Sequence, residues 1–243
     1  MGALILRFVY PRTSPARHAR LMRWWSRKLL RILAVRPVVH GPAPHWSGPV
    51  MVVANHVSWL DIFVISSVRA TRFIAKREIR EWPLVGWIVE KAGTLFLKRE
   101  ARRDLARMGE QVHEALARQD CVGLFPEGTT TEGTHLLKFH GSLFEPAIRN
   151  AARIVPVVLR YETPAGALCA NASFAGEITF MQCLARIVRE RAIVARMEFL
   201  EPVEAAGRDR RELAASLHAV IASRLQAWDR EPRTPHGPPA GSR

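Results

Sequence analysis

Short apolar runs rich in β-branched residues recur along this chain, and stretches of helical spacing fill the intervals between them. That alternation restricts the fold more than any other feature. Val50–Ala54, Cys121–Phe125, Ile154–Tyr161 and Ile193–Leu200 read as buried strands, and Arg72–Lys76 and Thr94–Leu97 as weaker ones. Ile62–Val68, Leu84–Lys91, Arg102–Arg118, Ser142–Ala152 and Arg210–Trp228 read as helices. Pro83 opens the second of these and Gly93 lies just past its end, while Ser142 and Glu145 have the spacing of a capping box. The stretch Ile178–Glu190 is ambiguous between the two periodicities. Strands alternating with helices predict an α/β fold: one layered domain with a mixed, largely parallel sheet flanked by helices. A length of 243 residues is enough for one such domain with its own core. There is no internal repeat, no G-x-G-x-x-G and no Walker-A loop, so a nucleotide-binding α/β domain has no support.

The charge is unevenly placed. The chain carries a formal +14, yet its first acidic residue is Asp61. Nine basic residues precede it: Arg7, Arg12, Arg17, Arg20, Arg23, Arg27, Lys28, Arg31 and Arg36. From Arg17 to Val35 there is neither Pro nor Gly, and Pro37 follows, so a helix ending near Val35 is predicted. At about 100° per residue, Arg20, Arg23, Arg27 and Arg31 share one face. Leu21, Trp25, Leu29 and Ile32 share another, with Trp24 and Leu33 at its margins. Tryptophan and leucine opposite an arginine stripe suit a helix lying in a membrane interface, with guanidinium groups on lipid phosphates. An ordinary amphipathic helix packed on the domain is the alternative. A nucleic-acid partner has only the charge in its favour, because no recognised binding motif accompanies it.

Pro42, Pro44, Gly48 and Pro49 mark a linker, and Asp229–Arg243 holds four of the sixteen prolines. The organisation read from this is a basic membrane-docking helical segment and linker at 1–45, a catalytic domain at 46–228 and a disordered tail at 229–243. Cys121, Cys169 and Cys183 have no C-x-x-C spacing, which disfavours a zinc ribbon, a redox motif or a disulfide framework and suits reduced thiols in the cytosol. No apolar run reaches the ~18–20 residues of a membrane span, and the apolar start, broken by Arg7, lacks a signal-peptide cleavage site.

Two segments at strand ends carry chemistry. In Asn55-His56-Val57-Ser58-Trp59-Leu60-Asp61, a regular helix would set His56 and Asp61 ~140° apart. They meet only if His56 lies in the turn after the strand and Asp61 on the first turn of the next helix. Asp61 would then accept from Nδ1–H and leave Nε2 free as a base. With no local serine or cysteine, the nucleophile would belong to the substrate. Taken alone, His-x4-Asp also fits a backbone-satisfied histidine and a capping carboxylate, and it falls short of a metal-ligand set. The second segment, Leu124-Phe125-Pro126-Glu127-Gly128-Thr129-Thr130, ends a strand with glycine and hydroxyl residues. Exposed backbone N–H groups there would suit a phosphate or a polar headgroup, and an ordinary turn is the alternative.

Together, these segments resemble the glycerolipid acyltransferase family of the 1-acylglycerol-3-phosphate type. Its N-H-x4-D block matches Asn55, His56 and Asp61, and its F-P-E-G-T block matches Phe125–Thr129. Gly93–Arg99 and Ile154–Val158 resemble its two other blocks, in the same order. The resemblance implies that His56, oriented by Asp61, acts as base on a lysolipid hydroxyl. It implies that Lys98 and Arg99 bind the acceptor phosphate, and that Glu127, Gly128, Thr129 and Thr130 shape the acceptor site. Acyl-CoA or acyl-carrier protein would be the donor, with no metal or redox cofactor, at the cytoplasmic face of the inner membrane. The product would be phosphatidate. One departure bears on the acceptor: phosphatidate-forming members usually follow F-P-E-G-T with arginine, and here Thr130 and Thr131 follow. Together with Phe139-His140-Gly141-Ser142-Leu143-Phe144, that resembles the branch acting on lyso-ornithine lipid. Arg99 suits either acceptor. A non-catalytic membrane-binding protein of the same fold is a further alternative.

Overall fold

The computed structural model describes residues 14–42, 47–76, 86, 94–97, 102–233 and 235–236. Eight strands form one sheet: β1 (Val35–His40), β2 (Val50–Ala54), β3 (Arg72–Lys76), β4 (Leu95–Leu97), β5 (Cys121–Leu124), β6 (Arg153–Glu162), β7 (Ile193–Phe199) and β8 (Val203–Glu204). The order is β1-β7-β6-β2-β5-β3-β4, with β8 on β6. All pairings are parallel except those of β6 with β7 and β8, so the sheet is mixed and largely parallel.

Side-chain alternation along β2 divides the core. Val50, Val52 and Ala54 enter one apolar cluster, and Met51 and Val53 the other. The first cluster is covered by α1 (Pro15–Ile32), α2 (Asp61–Val68) and α5 (Phe180–Arg189), the second by α3 (Arg102–Ala117), α4 (Glu145–Arg149) and α6 (Arg210–Arg230). All six strand readings match the structure within a residue at each end. β6 runs from Arg153 to Glu162, so it outlasts its β2 partner, whose pairing ends at Ala54↔Val157.

The N-terminal region departs from its reading. The helix stops at Ile32, Ala34 turns at φ 53°, and Val35–His40 continues as β1, parallel to β7. The segment read as a docking helix and linker, 1–45, therefore also contributes a strand to the sheet, ahead of the linker prolines. Pro37 ends a helix, but an edge strand tolerates its missing N–H on the outer side. The faces of α1 also differ from the expected ones. Leu30 and Leu33 are buried, Leu29 packs on the same cluster, and Arg27 Nε donates to the Ser67 carbonyl (2.8 Å). Trp24 and Ile32 stay exposed, at 48% and 69%.

The ambiguous stretch is α5, closed by a capping box in which Thr179 accepts from Gln182 N and Gln182 accepts from Thr179 N. Ser142 does not cap a helix. Gly141–Phe144 is a 3-10 turn, and α4 begins at Glu145 with Pro146 in its first turn. The described part of the 229–243 segment lies against the domain: Glu231 pairs with Arg196 and Arg224, and His236 Nε2 stands 2.6 Å from Glu162. The expected short helix at 84–91 falls outside the described residues except for Gly86.

Gly123 lets Phe73 cross β5. A Cβ there would lie 2.3 Å from Phe73 Cε1 and 2.8 Å from Thr71 Cγ2. Phe73 is buried and stacks on Phe125, 5.3 Å between ring centroids. Gly123→Ala is therefore expected to destabilise the domain by about 1–3 kcal/mol through overpacking, read as a lower urea midpoint. An unchanged midpoint would show that Phe73 has room to move.

Candidate active site

His56 leaves the end of β2 directly after Asn55. There β6 runs on without a partner strand on that side, and the Asn55 amide takes the strand's place. Its Nδ2 donates to the Leu159 carbonyl (2.9 Å) and its Oδ1 accepts from Leu159 N–H (2.8 Å). This fixes the point at which the chain turns away from the sheet.

Asp61 is the first residue of α2 and is wholly buried. Its Oδ2 accepts from His56 Nδ1 (2.8 Å), Val57 N–H (2.8 Å) and Ser58 N–H (3.0 Å), and its Oδ1 accepts from the Tyr161 hydroxyl (2.7 Å). A carboxylate only accepts, so this network requires the proton on Nδ1 and turns a lone pair outward at Nε2. Nε2 has no hydrogen-bond partner among the described residues, and the His56 side chain is 20% exposed. The ring lies flat on Phe125, 4.0 Å away at 8°, and Phe125 on Phe73. The carboxylate sets the imidazole's rotation in its own plane, and the stack sets the tilt of that plane.

Glu127 is also buried, and both its oxygens are occupied by backbone. Oε1 accepts from His56 N–H (2.8 Å) and Oε2 from Leu137 N–H (2.8 Å). The carboxylate thus ties the loop after β5 to the backbone of the histidine. Gly128 turns it at φ 74°. Thr130 Oγ1 donates to the Phe174 carbonyl, Thr131 N–H donates to the His56 carbonyl (2.8 Å), and Phe174 N–H donates to that of Val57 (2.9 Å). Three loops are laced together around the histidine. Thr129 points outward, and Lys98 and Arg99 lie outside the described residues.

Sequence reasoning missed Tyr161 and the backbone role of Glu127. Tyr161 had a signal: Val155, Val157, Leu159 and Tyr161 alternate onto the sheet face covered by α2, whose first residue is Asp61. Burial against Asp61 holds the Tyr161 phenol well above its ordinary range, so it stays a donor.

The arrangement has the geometry a general base requires, a histidine with a fixed tautomer, and among the described residues no nucleophile of the chain lies at hydrogen-bond distance from it. Comparison with known proteins agrees with that chemistry. Residues 36–160 match the family model described as Acyltransferase. A lyso-ornithine lipid O-acyltransferase of Pseudomonas aeruginosa is 39% identical over 205 residues, 83% of this chain and 77% of that protein. A 1-acyl-sn-glycerol-3-phosphate acyltransferase of Neisseria meningitidis serogroup B is 39% identical over 202 residues, 81% of this chain and 79% of that protein. The crystal structure of the 1-acyl-sn-glycerophosphate acyltransferase PlsC from Thermotoga maritima shares the fold, with a TM-score of 0.67, 20% identity, and coverage of 93% of this chain and 88% of that one.

Two stability measurements test the geometry. Tyr161→Phe leaves a buried carboxylate oxygen one donor short and is expected to cost about 1–3 kcal/mol in urea unfolding; no loss would mean that water replaces the hydroxyl. Glu127 gives a pH dependence. Burial lifts its carboxyl above the ordinary range, and the N–H groups of Leu137 and His56 draw it partway back. The folded state then holds the proton more tightly than the unfolded chain. This contribution to stability is complete below the unfolded value, about 4.3, and is lost as pH rises through the raised folded value. The stability of wild type relative to Glu127→Gln should accordingly fall as pH rises from about 4 toward neutrality, and a flat or rising difference would refute it.

Proposed function

The chain belongs to the acyltransferase family, and we propose that its His56–Asp61 pair moves an acyl chain from a thioester to the free hydroxyl of a lysolipid. One observation carries this reading: an outward Nε2 on a histidine whose Nδ1 is 2.8 Å from a buried carboxylate. Nε2 takes the acceptor's hydroxyl proton as the oxygen attacks the thioester carbonyl. The C–S bond breaks, and the proton passes from His56 to the departing sulfur. Asp61 keeps the tautomer and steadies the imidazolium. The thioester is already activated, so the step draws on no metal or redox cofactor. Acyl-CoA or acyl-carrier protein serves as donor.

The acceptor is 1-acylglycerol-3-phosphate, giving phosphatidate, with Lys98 and Arg99 on its phosphate and the loop Glu127–Thr130 shaping its site. A second acceptor, lyso-ornithine lipid, is favoured by one observation. Thr130, which stands where a phosphate-binding arginine is expected, spends its hydroxyl on the Phe174 carbonyl. Relatives of equal identity carry each of the two names.

The enzyme works at a membrane surface, on the cytoplasmic side of the inner membrane. No helix among the described residues is long and apolar enough to cross a membrane. The exposed side of α1 offers the docking surface, with Trp24 and Ile32 exposed and Arg17, Arg20, Arg27, Lys28 and Arg31 around them. All three cysteines are free and buried, which suits a reducing compartment.

The test is a mass-spectrometric assay of the purified chain with acyl-CoA or acyl-carrier protein and a panel holding lysophosphatidate and lyso-ornithine lipid. Product from one acceptor decides between the two. His56→Ala is expected to lower turnover by about 10²–10⁴ while the variant still folds and binds vesicles, its urea midpoint lowered because the buried Asp61 loses one donor. Normal turnover by that variant would remove His56 from the mechanism.

A further inference from the structure

Where α1 ends and β1 begins there is an open cavity of about 660 Å³, within the roughly 300–1,000 Å³ range of ligand sites. Its floor is apolar, built from residues that include Val35, Val39 and Ile193, and its rim holds Arg27, Arg31 and Arg36. Among the described residues no carboxylate lines it, and Arg31 and Arg36 have no acidic partner. Arg27 is held at the rim by its bond to the Ser67 carbonyl. His236, the remaining titratable group on the lining, is engaged by Glu162.

A neighbouring cavity shows that this composition is not general. Val38 and His40 line a second cavity, and there two of the three guanidinium groups are matched, Arg160 by Asp229 and Arg196 by Glu162 and Glu231, with Arg233 the third. In the first cavity three guanidinium groups are left for an anion, above a floor that water covers poorly. One class of ligand satisfies both parts, an anion carrying a hydrocarbon chain. Ile32, 69% exposed, lies one turn of α1 beyond Lys28 beside the rim residue Arg31, so the cavity adjoins the surface assigned to the bilayer.

We infer that this cavity binds one anionic phospholipid of the membrane, its phosphate on Arg27, Arg31 and Arg36 and the start of an acyl chain on the floor beside Val35 and Val39. His56 and Asp61 take no part in its lining, so the site is separate from the one that handles the acceptor. It rests on the reading of α1 as the membrane-facing helix and adds a stoichiometric lipid to a diffuse surface contact. Its effect is to set the depth and rotation of α1 on the bilayer.

The test separates the cavity from docking. Full-length protein is titrated with water-soluble dihexanoyl phosphatidylglycerol below its micelle threshold, with the phosphatidylcholine analogue as zwitterionic comparator, and read by native mass spectrometry. One phosphatidylglycerol per chain is expected, held about tenfold or more tightly than the comparator. Arg31→Gln with Arg36→Gln should weaken it by about tenfold or more. Val39→Trp, at a position 42% exposed and so open to a larger side chain, should block it without altering charge. Arg17→Gln with Arg20→Gln removes equal charge from α1 away from the cavity and should leave it bound. Equal weakening by both double variants, retention by Val39→Trp, or equal displacement by inorganic phosphate and by lipid would overturn the site. Sedimentation with phosphatidylglycerol vesicles reports docking independently: wild type that holds the soluble lipid yet ignores vesicles would end the docking reading and keep the site.

Discussion

The carboxylate of Asp61 is the constraint on which the active region depends. A charge taken wholly out of water costs several kcal/mol unless each lone pair finds a donor. Here the donors come from the backbone of the 56–58 turn, a ring nitrogen of His56 and a hydroxyl on β6. Satisfying one group therefore fixes the turn after β2, the start of α2, the register of β6 against both, and the histidine tautomer. None of these can relax separately without costing the buried carboxylate one of its donors. The same need accounts for the two backbone N–H bonds to Oδ2.

A second carboxylate repeats the device one loop away. Glu127 holds His56 by its N–H and Leu137 by its own. The base is thus fixed at the ring by Asp61 and at the backbone by Glu127, with Phe125 beneath it. An imidazole held from three sides loses little further freedom when a proton must be transferred, which is where positioning contributes to rate. The Asp61 carboxylate at Nδ1 would also favour the imidazolium of the proposed proton transfer.

The layered α/β fold was legible from the chain because β-branched runs of four to eight residues bounded by breakers have few other readings. The meeting of His56 with Asp61 was legible as well, because a regular helix would separate them and a turn would not. Other features depended on information outside the local window. Val35–His40 was hidden by Pro37, whose tolerance in a strand depends on that strand being an edge, a property of strand order. Tyr161 was one apolar-face residue among several, and nothing local distinguishes a hydroxyl that finds a carboxylate one hundred residues earlier. The backbone role of Glu127 was hidden for the same reason, since Leu137 comes near only after the loop has folded.

The first sixty residues show how one composition can serve two surfaces. Read by angle alone, α1 has one apolar face, and that face was assigned to the bilayer. In the structure Leu29, Leu30 and Leu33 are taken by the core, because the sheet face under α2 needs cover as much as the membrane surface needs a hydrophobic contact. What remains for lipid is Trp24 and Ile32 set among basic residues, a smaller apolar area than the periodicity promised. Apolar area and charge both add to interfacial affinity. As the first is diverted inward, the proposed attachment rests more on the second, and nine basic residues precede the first acid in the sequence. Attachment weighted toward charge is salt-sensitive and reversible.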